Sequence, residues 1–85
     1  MKRTHTWRRN PLDEARKQLK AARNKAEQAA QTQQHYETEA THAQSAVERV
    51  RSAQLAAEWA LALTIEQAAV AHLETRIATI EAGEL

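Results

Sequence analysis

Counting from Leu12, small and apolar side chains recur in alternating steps of three and four residues. The series is Leu12, Ala15, Leu19, Ala22, Ala26, Ala29, Gln33, Tyr36, Ala40, Ala43, Val47 and Val50. That spacing keeps one face of an α-helix apolar, and its length exceeds five heptads, so it predicts a coiled-coil seam. The early half is alanine-rich, which permits close helix approach and predicts weak burial. Past Val50 the register slips by two. Trp59, Leu63, Val70, Leu73, Ile77 and Ile80 make a second seam, with Glu66 as its polar member. Leu55, Leu61 and Ile65 are apolar on other faces. A helix apolar on so many sides needs more than one neighbour, so 55–80 is expected to form the main core of a bundle of three or more helices. Gln33, Gln54, Glu58 and Glu66 are polar breaks of the kind that set register or oligomer state.

The helix ends are written in local chemistry. Asn10 is a strong N-cap, and Pro11, the only proline, suits the first helical position, where no N–H is needed. Asp13 and Glu14 place negative charge at the positive end of the helix dipole. Gly83, the only glycine, suits a C-terminal cap. These signals divide the chain into an arm over 1–10, a helical region over 11–82 and a cap over 83–85. Unbroken, 11–82 would be a rod of roughly 108 Å. The polar stretch 33–45 is the one place for a bend. A tight helix–helix turn there would ordinarily carry a glycine, and none is present. The fold class is therefore all-α: a long helix with a heptad seam, or a helical hairpin, assembling as a coiled coil or small bundle. The continuous helix is favoured over the hairpin.

Composition sharpens the expectation of assembly. Of 85 residues 42% are hydrophobic, but most of these are alanine, and there is no Phe. A lone chain with so thin a core is marginal, so a homo-oligomer or a partner is expected. Cysteine is absent, which rules out disulfides and thiol chemistry. No apolar leader and no run of about 20 apolar residues occurs, so neither a secretory signal nor a membrane span is expected, and the chain reads as cytoplasmic.

Charge divides the chain in two. Residues 1–25 hold nine Lys/Arg against two acids, whereas residues 26–85 hold three against nine. A hairpin, or an antiparallel pair of rods, would lay the basic end along the acidic end. Lys2, Arg3, Arg8 and Arg9, followed by Arg16, Lys17, Lys20, Arg23 and Lys25, form a cationic stretch able to neutralise phosphates, and Trp7 among them could stack on a base or sit at a membrane interface. The competing reading is a solvated arm whose helix pairs with the acidic half. A basic helix that leads into a heptad seam resembles the bZIP factors in order. Leu12 and Leu19, however, already lie in the seam where a bZIP basic region would be, so no base-reading residue is assigned.

Other chemistry is sparse. His35, Glu39 and His42 share a helical face and are competent zinc ligands, yet no fourth ligand is identifiable; the expectation is an exposed polar stripe, with no metal and no cofactor. No phosphate loop or nucleophile elbow occurs, and no enzyme activity is expected. The functional expectation is a self-associating interaction protein whose basic arm docks an acidic partner, nucleic acid first among candidates. Leu12, Leu19, Val47, Val50, Leu55, Trp59, Leu63, Val70, Leu73, Ile77 and Ile80 are its expected interface. The alternative is an adaptor, inhibitor or chaperone-like module that binds another protein through an apolar face spanning Trp59 to Ile65.

Overall fold

A computed structural model describes residues 10–83. Helix α1 spans Pro11–His42 and helix α2 spans Ala46–Glu81. They fold back on one another as an antiparallel hairpin, and the described residues contain no strand. The shortest extent is 12 Å, the thickness of a single helix. Among the described residues the hairpin is therefore one layer of two helices, with no third helix laid across it.

Both predicted helix ends hold. The Asn10 side chain accepts from the backbone N–H of Leu12 at 2.8 Å, with Pro11 at the first helical position. At the far end Ala82 and Gly83 donate to the carbonyls of Ala78 and Ile80. Gly83 takes a φ of 78°, which a side chain would resist.

The favoured continuous helix is not what forms; the chain reverses at Ala43-Gln44-Ser45. The turn is made without glycine. Ala43 leaves α1 in an extended conformation, φ −65° and ψ 138°, which any residue adopts. Ser45 then caps α2, its hydroxyl accepting from the N–H of Glu48 at 3.0 Å. Arg49 donates to the Ala43 carbonyl at 3.2 Å and ties the turn to the first turn of α2. Ser45 and Glu48 have the spacing of a capping box, a start signal that specifies a new helix as firmly as glycine would end the old one.

The first seam holds through α1. Every member from Leu12 to Ala43 is buried or half-buried, with Ala15, Leu19, Ala22 and Ala29 the most enclosed. These alanines are well enclosed, although each buries little apolar area. An alanine in a two-helix contact is covered completely by larger side chains opposite, whereas those larger side chains project past the partner and keep an open edge. That is why Leu63, Val70, Leu73, Ile77 and Ile80 are only half-buried, and why Ala56 is the one buried residue of α2. The core accordingly runs along both helices and is not concentrated in 55–80. Val47 and Val50 leave the first seam altogether. They lie past the turn and face away from α1, at 77% and 62% exposure.

The charge asymmetry is absorbed by the antiparallel pairing. Arg16 meets Glu81 at 3.0 Å and Arg23 meets Glu74 at 2.9 Å. All four side chains are about half exposed. Each pair is therefore worth about 0.2–1 kcal/mol, enough to favour this alignment but not to build the fold.

Candidate interaction surface

The two helices differ in what they turn outward. α1 presents Asp13, Lys17, Lys20, Asn24, Gln31 and His35 to solvent, an ordinary charged and polar face. α2 is apolar on both sides. At about 100° per residue, its inner seam runs through Ser52, Ala56, Trp59, Leu63, Glu66, Val70, Leu73, Ile77 and Ile80. On the opposite side an arc of about 180° contains no Asp, Glu, Lys or Arg over the whole helix. Its large members are Val47, Val50, Leu61 and Ile65, the last two at 68% and 67% exposure. Between them lie Ala53, Gln54, Ala57, Thr64 and Ala68, all exposed. Small residues at these positions let another backbone come close. The hydroxyls of Thr64 and Thr79 bond the carbonyls of Ala60 and Thr75 within the helix, both at 3.0 Å, which leaves their methyl groups free to pack.

This outer arc continues the heptad series of the first seam: Val47, Val50, Gln54, Ala57, Leu61, Thr64 and Ala68 keep its three-four alternation. The turn carries that series from the inside of the hairpin in α1 to the outside in α2. The slip at Val50 is the point at which a second seam takes over the inner contact. Two seams on one helix are two faces, and only one faces α1.

The interval from Trp59 to Ile65 therefore does not make a single binding face. Leu61 and Ile65 lie about 120–160° from Trp59 and Leu63 around the helix. Trp59 belongs to the inner seam, 37% exposed, beside an open cleft lined by Lys25, Gln28, Ala29, Thr32, Ala62 and Glu66. Leu55 lines a second open cleft at the turn, with Glu39, His42, Ala43, Glu48, Arg51 and Ser52. Both are shallow grooves between the helices. Neither encloses a ligand-sized space.

The residues of the expected nucleic-acid-binding face are placed in three ways. Lys2, Arg3, Trp7, Arg8 and Arg9 lie outside the described residues. Arg16 and Arg23 are engaged by Glu81 and Glu74. Lys17 and Lys20 are exposed and make no ion pair. His35 sits 3.3 Å from Glu39 and edge-on to Tyr36, while His42 bonds the carbonyl of Thr38 at 2.9 Å. No group of three metal-ligating side chains comes together among the described residues. No helix among them is long and apolar enough to cross a membrane. Arg51 and Glu58, on one flank of the outer arc, make no ion pair or hydrogen bond through their side chains.

No protein-family model matches the chain, and no curated protein or solved structure matches it.

Proposed function

We propose that this chain is a non-enzymatic helical interaction module that binds another helix along the outer face of α2. One observation carries the reading: Val47, Val50, Leu61 and Ile65 stand at 62–77% exposure on a face without formal charge. These side chains add nothing to the hairpin's own core, and their hydration weighs against the exposed state. The shape supports a helical occupant in particular. The face is convex, narrow and studded with alanine, which suits ridges-into-grooves packing and not a small molecule. A photo-crosslinking residue at position 61, in cells that express the chain, should give a covalent product. The same residue at position 24, on the outer face of α1, should give none. Failure of position 61 to give any product would overturn the reading.

A second reading rests on Lys17 and Lys20. They are exposed, unpaired and in sequence with the basic arm, so α1 and the arm together offer a cationic strip for an acidic partner such as nucleic acid. Its test is titration of a fluorescent duplex and a single strand over a salt series, with and without residues 1–10. Binding that weakens steeply with salt and needs the arm supports it. No binding at low salt removes it.

A further inference from the structure

We infer that the helix received by the outer face of α2 is α2 of a second copy, packed antiparallel about a two-fold axis near residue 56. The inference rests on the module reading above and adds the identity and register of the occupant. It follows from a near-palindrome in the outer face. An antiparallel helix pair brings residues together whose numbers have a constant sum. Val50 pairs with Leu61 and Gln54 with Ala57 at one and the same sum, and that register also sets Val47 against Thr64 and Ile65. All four large exposed side chains are covered at once, each against its counterpart in the second copy.

The flanks agree with the same register. Arg51 lies between the layers of Val50 and Gln54, and Glu58 between those of Ala57 and Leu61. Antiparallel pairing places Arg51 of one copy beside Glu58 of the second copy, and symmetry repeats the pair. Both side chains lack a partner within their own hairpin. On the other flank Ala53 meets Ala60 of the second copy, small residues that line a groove with Gln33, Glu37, Ala40 and Thr41 of α1. Gln54 is left near the axis, the usual place for a polar residue that fixes register. A different register, centred near residue 67, would set Glu58 against Arg76 but would leave Val47 and Val50 in water. A parallel pair would cover the same apolar side chains but set Arg51 against Ala46 and Glu58 against Ala53 of the second copy, leaving both charges without a partner. The apolar positions therefore select the register and the charges select the direction.

The contact is modest in size. It runs from Val47 to Ile65, roughly 27 Å along one face of one helix, which offers fewer residues than the roughly 20–30 a side of a standard interface. Dimerisation in the micromolar range is therefore expected.

The chain has no cysteine, so introduced thiols report the register directly. A mixture of V50C and L61C chains, oxidised gently, should give the mixed disulfide in preference to either self-disulfide. In sedimentation equilibrium R51E and E58R should each weaken the dimer about tenfold, and the double exchange should recover most of the loss. Helical content by circular dichroism should stay at the wild-type level in all three. A wild-type chain that remains monomeric at millimolar concentration overturns the inference. So does preferential Val50–Val50 coupling, or a double exchange that recovers nothing. If position 61 crosslinks only to a different protein while the chain stays monomeric, the self-pairing fails and the module reading survives. If position 61 crosslinks to nothing, both fail.

Discussion

Replacing Gln44 and Ser45 by alanine should weaken the turn and leave the hairpin in place. In the hairpin the double substitution removes the bond from the Glu48 N–H to the Ser45 hydroxyl, at a cost of about 1 kcal/mol. In a continuous helix over 11–81 the same two alanines replace poorer helix formers, a gain of roughly 1 kcal/mol together. The balance shifts toward the rod by about 2 kcal/mol per chain. A straight rod nevertheless gives up the inter-helix core. In a continuous helix the seam of α1 runs on into the outer arc of α2, so the inner seams of the two helices point to opposite sides. An antiparallel pair of such rods covers Val47, Val50 and Leu61 at the expense of Trp59, Leu63, Val70, Leu73, Ile77 and Ile80. Each large side chain is worth about 1.5–3 kcal/mol when fully covered, so the net loss exceeds the gain at the turn. The assay is a distance between spin labels at Lys20 and Arg76, with labelled chain diluted into unlabelled chain so that only intramolecular pairs are read. The hairpin gives roughly 20 Å, from two adjacent helices; the rod gives roughly 84 Å. The variant should keep the short distance. If it shows the long one, the phase of the two seams is not what decides between the two states.

The remaining predictions follow from burial and charge. Leu61→Glu should leave the thermal unfolding midpoint of the hairpin nearly unchanged at low concentration, because the side chain is exposed. Leu63→Glu, two positions away on the inner seam, should abolish cooperative unfolding, read by circular dichroism. Leu19→Ala, at the most enclosed large side chain (9% exposed), should cost about 2–3 kcal/mol in a urea titration, the lower part of the usual range because a two-helix contact can close around the gap. Glu74→Lys should lower stability by about 1 kcal/mol at low ionic strength and by clearly less in 1 M salt, since the pair with Arg23 is half exposed.

How much of this was legible in the sequence depends on the range of the interaction involved. Asn10, Pro11 and Gly83 act within one helical turn, and their readings carry straight into the structure. The seam from Leu12 to Ala43 is a periodic property of one helix and is equally plain. The turn is also local, but its signal is the Ser45–Glu48 box. A search for glycine passes over it, because a helix can be stopped by starting another. The preference for a rod came from weighing the end of α1 without the beginning of α2.

The outer face was present in the sequence in disguise. Read as one series, Leu12 to Val50 is an unbroken seam, and the slip that follows looks like a change of phase along a single rod. Once Ala43 to Ser45 reverses the chain, the same numbers mean something else. The early series belongs to two opposite surfaces, and the slip is the handover from one to the other. Leu61 and Ile65 then cannot share a face with Trp59 and Leu63, and the absence of charge from the outer half of α2 acquires a cause. A helix that served only as half of a hairpin would be free to fill that half with Lys and Glu, as the outer face of α1 is filled. Keeping Val47, Val50, Leu61 and Ile65 there has a hydration cost and no return within the monomer. The face makes physical sense only when covered, and the pairing of Arg51 with Glu58 across a two-fold axis is the arrangement in which its apolar and charged positions are satisfied together.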